Sequence, residues 1–315
     1  MTPDRIVDGL RGGGGRTNGE GAGLAEVIQY DFPGDGPGAT QRPVVSVAVL
    51  NLSPEPGDPE GNLHLAARAI VEAKGECPSL RWVVLPELFT CGYSDLESVP
   101  RYAEDAEHGE SVRFLRALAR ELGIFIAYGF PERAPGSADI FDSANLVGPE
   151  RVLATYRKRN LVRTTPEQYV FGAETWLPVV MAGGVRVSLV VCWDLGFPEV
   201  AGEAALGGAD LILAPAAWRE PWSPQYGLSC AARALDSGVY VASANQLGCY
   251  GEALFATPGH VYGPDGLRVS LSTGARSICE LDPTAPARWR GLYRNTFLDD
   301  FEATAVDEEL RKACS

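Results

Sequence analysis

Three residues of this chain sit at the ends of apolar runs and carry side chains able to take part in covalent chemistry. Cys192 closes the run VRVSLVVC and precedes Trp193-Asp194-Leu195-Gly196. Glu87 ends the run VVLPE, and Lys158 follows RVLATYR. A thiol attacks only as its thiolate, so it needs a base or a cation beside it. A carboxylate within reach serves as general base. An ammonium group pointing inward stabilises a developing oxyanion. A Glu-Lys-Cys set therefore supplies nucleophile, base and electrophilic helper without a histidine.

Each residue also has a plainer reading. A free cysteine is most often a small buried hydrophobe. A carboxylate after apolar residues is costly to bury alone and commonly forms a structural ion pair. Lys158 lies within Arg157-Lys158-Arg159, the usual composition of a solvated face. The turn after Cys192 tips the balance. Pro198 suits the first position of a helix and Glu199 suits its first turn. The thiol is thus expected in a strand-to-helix turn, near a positive helix end that would lower its pKa. Glu167, in TPEQYVFGAE beyond Lys158, is either a surface carboxylate or a second pocket carboxylate that keeps Lys158 charged and assists proton transfer.

The elements that must position these groups are legible as alternating runs. VVSVAVLNL, RWVVLPEL, IFIAYGF, RVLATY, VRVSLVVC, DLILAP and VYVASAN read as buried strands. Helical spacing runs through 60–74, 110–122, 199–207 and 223–237, and 259–281 is strand-rich with a Pro264-Asp265-Gly266 turn. This alternation predicts an α/β fold. In such sheets ligands bind beyond the carboxyl ends of strands, where all three reactive residues fall.

Composition bounds the rest. The chain has 315 residues and a formal net charge of −14, which argues against duplex nucleic acid or an anionic membrane as partner. Seven cysteines in an odd, widely spaced set without CxxC argue against a disulfide framework or a zinc ribbon. Only His64, His108 and His260 are present, so no metal site is expected. No secretory leader or membrane span is legible, and the expected location is cytoplasmic. Residues 1–42 are rich in Gly, Pro and Asp and read as a flexible extension; 43–285 read as one catalytic domain, and 286–315 as a C-terminal tail and possible oligomer contact.

The ordered set Pro86-Glu87 with Gly92-Tyr93, Tyr156-Arg157-Lys158, Cys192-Trp193-Asp194 and Phe197-Pro198-Glu199 resembles the nitrilase superfamily of carbon–nitrogen hydrolases. GADLILAPAAW and the stretch from Arg233 to Asn245 are similar to its downstream blocks. The resemblance implies an α-β-β-α sandwich of two facing mixed sheets, no cofactor, and a homodimer or larger assembly paired through helices beside the cysteine. It implies Cys192 as nucleophile, Glu87 as base, Lys158 as oxyanion stabiliser and Glu167 as accessory carboxylate, with the Trp193 N–H as a second oxyanion donor. The reaction implied is hydrolysis of an amide or N-carbamoyl group through a thioester.

Trp-Asp after the cysteine, where true nitrilases tend to have Trp-Glu and a longer tail, favours amidase over nitrilase. Asp236-Ser237-Gly238 departs from the family's usual Glu-Asn before the Tyr240-Val241 strand. An acyltransferase passing the thioester to an amine, and a silent binding protein, are the alternatives. Tyr93, Trp193, Trp218, Glu220 and Trp222 are candidates to line the pocket, with core packing the competing role for Trp218 and Trp222. An aromatic site with an acidic rim would suit a substrate with an amine or apolar tail.

Overall fold

A computed structural model describes residues 45–93, 99–162, 177–270 and 274–292. Along the chain run β1 (Val45–Leu50), α1 (Pro59–Glu76), β2 (Trp82–Val84), α2 (Val99–Tyr102), α3 (Glu110–Leu122), β3 (Phe125–Arg133), β4 (Ile140–Val147) and β5 (Val152–Arg157). Then come β6 (Val179–Ala182), β7 (Val185–Leu189), a 3-10 turn (Cys192–Gly196), α4 (Pro198–Leu206), β8 (Leu211–Ala216), α5 (Ser223–Ser237) and β9 (Tyr240–Asn245). The chain continues through the hairpin β10 (Gly248–Tyr250) and β11 (Ala253–Phe255), then β12 (Val261–Tyr262), β13 (Arg276–Leu281) and α6 (Ala285–Leu292). Among the described residues, no helix is long and apolar enough to cross a membrane.

The strands form a six-stranded sheet, ordered β13-β1-β2-β3-β4-β5, and a five-stranded sheet, ordered β12-β9-β8-β7-β6. Both are mixed: β1-β2-β3 and β7-β8-β9 are parallel, and the flanking pairs are antiparallel. The sheets pack face to face, with β1 on β9, β2 and β3 on β8, and β4 on β7. Strand alternation explains why the runs are apolar throughout. Val45, Val47 and Val49 point into the inter-sheet core with Trp82, Val84, Leu189 and Leu213. Ala48 and Leu50 point the other way, into a second layer with Ile70, Leu115, Leu118 and Ile126 under α1 and α3. A strand covered on both faces has no polar side to show. Helices α4 and α5 close the opposite face, giving four layers in the expected α-β-β-α order.

Several expectations need correction. The apolar run to Cys192 is not all strand: β7 ends at Leu189, and the chain turns sharply at Cys192. The run RWVVLPEL contains only the three-residue β2. The expected boundary at 285 coincides with the start of α6, so 286–292 belong to the packed body. Arg290 fastens that helix, donating to Asp210 Oδ1 at 2.7 Å and to the Ala209 carbonyl at 3.1 Å. The expected extension 1–42 and the tail from 293 lie outside the described residues.

Candidate active site

Two sheets deliver the reactive groups to one point. Glu87 lies three residues past Val84 of β2, and Lys158 immediately follows β5; both strands belong to the six-stranded sheet. Cys192 arrives from β7 of the opposing sheet. The end of β8 joins the two: the Ala216 carbonyl accepts from the Glu87 N–H at 3.3 Å, and the Ala217 N–H donates to the Cys192 thiol.

Local backbone geometry explains how each group is aimed. After β2 the chain still borders β3, with Gly129 N–H donating to the Pro86 carbonyl at 3.0 Å. A Cβ on Gly129 would come within 2.5 Å of Glu87 Cα, so only glycine lets Glu87 this close to β3. Leu88 has φ +42° and Cys192 has φ +47°, a left-handed conformation that costs a non-glycine residue about 1–3 kcal/mol. Both strained residues belong to the reactive loops. The 3-10 turn then closes through Asp194 N–H to the Val191 carbonyl at 3.0 Å, and Pro198 opens α4 at its first position, as expected.

Glu87 and Lys158 are fully buried and paired, Lys158 Nζ standing 2.6 Å from Glu87 Oε1. Glu87 Oε2, also buried, has no hydrogen-bond partner among the described residues. A second carboxylate, Asp142 Oδ2 on β4, lies 3.4 Å from the same Nζ. Cys192 is 5% exposed, and its thiol pKa stands well above the ordinary value. Burial is the largest cause, the Glu87 carboxylate adds to it, and Lys158 and the Ala217 N–H oppose it. The expected lowering by a helix end does not occur. The helix proper begins only at Pro198, and burial outweighs the favourable charges.

Asp194 holds the two loops together. Its buried carboxylate accepts from Tyr156 Oη at 2.7 Å, Asn160 N–H at 2.8 Å, Asn160 Nδ2 at 2.8 Å and Arg159 N–H at 3.2 Å. The residues after Lys158 are thereby fixed to the turn that carries Cys192. Burial raises the pKa of Asp194, against the lowering effect of these donors and of Lys158. Burial, with the Asp194 charge adding to it, pushes Tyr156 far up, so it remains a donor.

The remaining candidates divide. Trp193 is half-buried beside Cys192 and lies 4.9 Å, ring to ring, from Trp218. Trp218 is buried between Trp193 and Tyr226, with its backbone N–H donating to Asn245 Oδ1 at 2.7 Å. Tyr93 packs with Leu88, Ala217 and Phe255, next to the residue that supports the thiol. Glu220 is exposed, and its carboxylate accepts a very short hydrogen bond from Ser223 at the start of α5; any role toward substrate would compete with that bond. Trp222 is exposed at the same helix start. Glu167 lies outside the described residues. Sequence reasoning missed Asp142 altogether and used Asp194 only as part of a motif. Asp142 sits in IFDSANLV beside Ser143 and Asn145, so it lacked the apolar run that draws attention to Glu87. Among the described residues, no group of His, Cys, Asp and Glu could hold a metal ion.

Comparison with known proteins places this arrangement. The sequence profile of the carbon-nitrogen hydrolase family matches residues 46–283. The chain belongs to that family. A protein of Pyrococcus abyssi named nitrilase is 33% identical over 225 residues, 68% of this chain and 82% of that one. Among solved structures, Nit3 of Saccharomyces cerevisiae, a member of the nitrilase superfamily, superposes with a TM-score of 0.75 at 26% identity, covering 82% of this chain and 97% of that one. A glutamate-to-glutamine variant of the amidase from Nesterenkonia sp. AN1 superposes with a TM-score of 0.65 at 28% identity, covering 80% of this chain and 97% of that one. That variant carries an acetamide moiety added covalently to its active-site cysteine. As a carbon–nitrogen hydrolase, this protein is an enzyme of a cysteine-dependent family, with the two-sheet fold expected of it.

Proposed function

We propose that this carbon–nitrogen hydrolase opens an amide or N-carbamoyl group through a thioester on Cys192. Glu87 takes the thiol proton as Sγ bonds to the carbonyl carbon. Lys158 Nζ and the Trp193 N–H hold the oxyanion that forms. The tetrahedral intermediate collapses, and Glu87 returns the proton to the departing ammonia or amine. Water then attacks the thioester while Glu87 takes its proton; the acid leaves and the proton returns to sulfur.

One observation carries this reading: a fully buried Glu87–Lys158 pair at 2.6 Å beside a thiol that burial keeps protonated. Such a pair adds little net stability compared with apolar residues of equal volume, so its presence favours a chemical role. A protonated thiol needs a base at the moment of attack, and the Glu87 carboxylate, whose Oε2 is not taken by any other group among the described residues, supplies one. Glu167 is proposed as an accessory carboxylate on Lys158, and Tyr93 and Trp193 as walls of the acyl pocket, with Trp218 backing Trp193.

Asp194 after Trp193 and the likeness to the Nesterenkonia amidase favour amides. The relative named nitrilase keeps nitriles in the test. Ammonia release from a panel of amides, N-carbamoyl compounds and nitriles should single out the amide or carbamoyl members. Cys192→Ala should cut that activity by a factor on the order of 10⁴ or more. Activity that survives the substitution would sink the mechanism, and turnover confined to nitriles would replace amidase by nitrilase.

Self-association is proposed through α4 and α5, which leave Leu206 66% and Leu228 70% exposed. Sedimentation should then give at least a dimer, and a monomer at micromolar concentration would remove the idea.

A further inference from the structure

We propose that Asp142 is a positioning residue that shares the charge of Lys158 with Glu87 and so keeps the Cys192 thiol protonated until substrate is attacked. The inference rests on the reading of Cys192 as nucleophile given above.

The placement is built into the sheet. Strands β4 and β5 are antiparallel, with Ser143 opposite Arg157, and the next step of the ladder brings Asp142 beside Lys158. The Lys158 N–H donates to the Asp142 carbonyl at 2.8 Å, and the Asp142 carboxylate stands 3.4 Å from Nζ. One lysine thus receives both the backbone and the side chain of the same residue. Both side chains are fully buried.

Among the described residues, the charged and titratable groups facing Lys158 come from three directions; Glu167, proposed above as a further carboxylate on Lys158, lies outside them and would add to the negative charge. Glu87 enters from the loop after β2, Asp142 from β4, and Cys192 and Asp194 from the turn after β7. On the neighbouring strands Arg157 and Glu132 neutralise each other, with Arg157 Nε 2.9 Å from Glu132 Oε2. The immediate trio of Glu87, Asp142 and Lys158 holds two carboxylates against one ammonium, a net charge of −1 when all are ionised.

Charge effects are strong at this depth. A net negative trio opposes a thiolate and favours return of the proton to the cluster. With Asp142 neutral, Lys158 would face Glu87 and the thiol with its whole charge. Thiolate would then form at lower pH, and Glu87 would be a weaker acceptor for the proton that catalysis must move. A substitution that only loosened packing would slow the reaction without moving its pH dependence.

The test is alkylation of the intact protein by iodoacetamide across pH, with modification at Cys192 followed by mass spectrometry and folding checked by thermal melt. Sulfur displaces iodide only as thiolate, so the rate reports its formation. Asp142→Asn should move the midpoint of the rate–pH curve down by roughly one pH unit, the effect of removing a like charge a few ångströms away. Asp142→Glu should keep the wild-type midpoint, because it keeps the charge. Asp142→Ser provides a second neutral variant, expected to shift like Asp142→Asn. Unshifted midpoints in the neutral variants, or an equal shift in Asp142→Glu, would overturn the proposal while leaving Cys192 as nucleophile. If neither neutral variant folds while Asp142→Glu does, the charge serves the fold, and the proposal is again overturned. Failure of Cys192 to react at any pH in the wild type would overturn the nucleophile itself, and this inference with it.

Discussion

Position 129 shows how little space separates support from obstruction. Glycine there lets β3 lie against the backbone of Glu87 and Leu88, where an added methyl would stand 2.5 Å from Glu87 Cα and from Leu88 N. Neither atom belongs to a flexible side chain, so the loop itself would have to move. Gly129→Ala should therefore cost about 1–3 kcal/mol of stability by overpacking. It should also lower kcat/KM by roughly 10²-fold, the effect of misplacing a reacting group by about 1 Å. Gly75→Ala in α1, where an added methyl meets nothing within 4 Å, is the control and should retain full activity. Equal behaviour of the two variants in melts and kinetics would show that the loop carrying Glu87 has slack that the geometry does not suggest. The same loop carries the strained Leu88, which leaves it few other conformations to adopt.

Among the elements, legibility followed polarity. Residues 110–122 and 223–237 form helices over the expected spans, because apolar spacing and glycine stops at Gly123 and Gly238, both left-handed, act locally. Buried strands β1, β8 and β9 were plain as uninterrupted apolar runs. Strand β4 was hidden. Its sequence IFDSANLV buries Asp142, Ser143 and Asn145, and no pattern of apolar residues reveals polar groups satisfied by distant partners. Ser143 donates to Glu132 at 2.7 Å, and Asn145 accepts from Thr155 at 2.7 Å, bonds across strands that pairing alone brings together. Missing β4 meant missing Asp142. The thiol pKa failed for a related reason: a helix end can be read from Pro198, but the depth of burial around Cys192 depends on the opposing sheet. Short elements such as β6, the β10–β11 hairpin and α6 carried too few residues for a period to emerge.

At the scale of the molecule, buried titratable groups outside the centre shape the response to pH. Burial pushes the thiols of Cys230 and Cys279 up to about 12 from 9.0. Above pH 9 the unfolded chain releases these protons while the folded one retains them. Stability should fall as pH rises from 9 toward 12, by at most about 1.4 kcal/mol per pH unit for each thiol. His260, buried beside Arg268, is held down to about 4 from 6.5. Below pH 6.5 the unfolded chain takes up a proton that the folded one refuses, so stability is also lost as pH falls toward 4. Denaturant midpoints should thus form a plateau between about pH 6.5 and 9. A midpoint that climbs through pH 9–11 would contradict this burial.

The arrangement of Glu87 and Lys158 on one sheet and Cys192 on the other has a further meaning. Each sheet is complete in its own ladder of hydrogen bonds, yet neither owns the proposed chemistry, which needs the seam where they meet. A slip of one layer against the other by the length of a single bond would leave every strand intact and the enzyme silent. Catalytic competence in this fold is therefore a gauge of alignment between two slabs, and it should register their parting before any measure of secondary structure does.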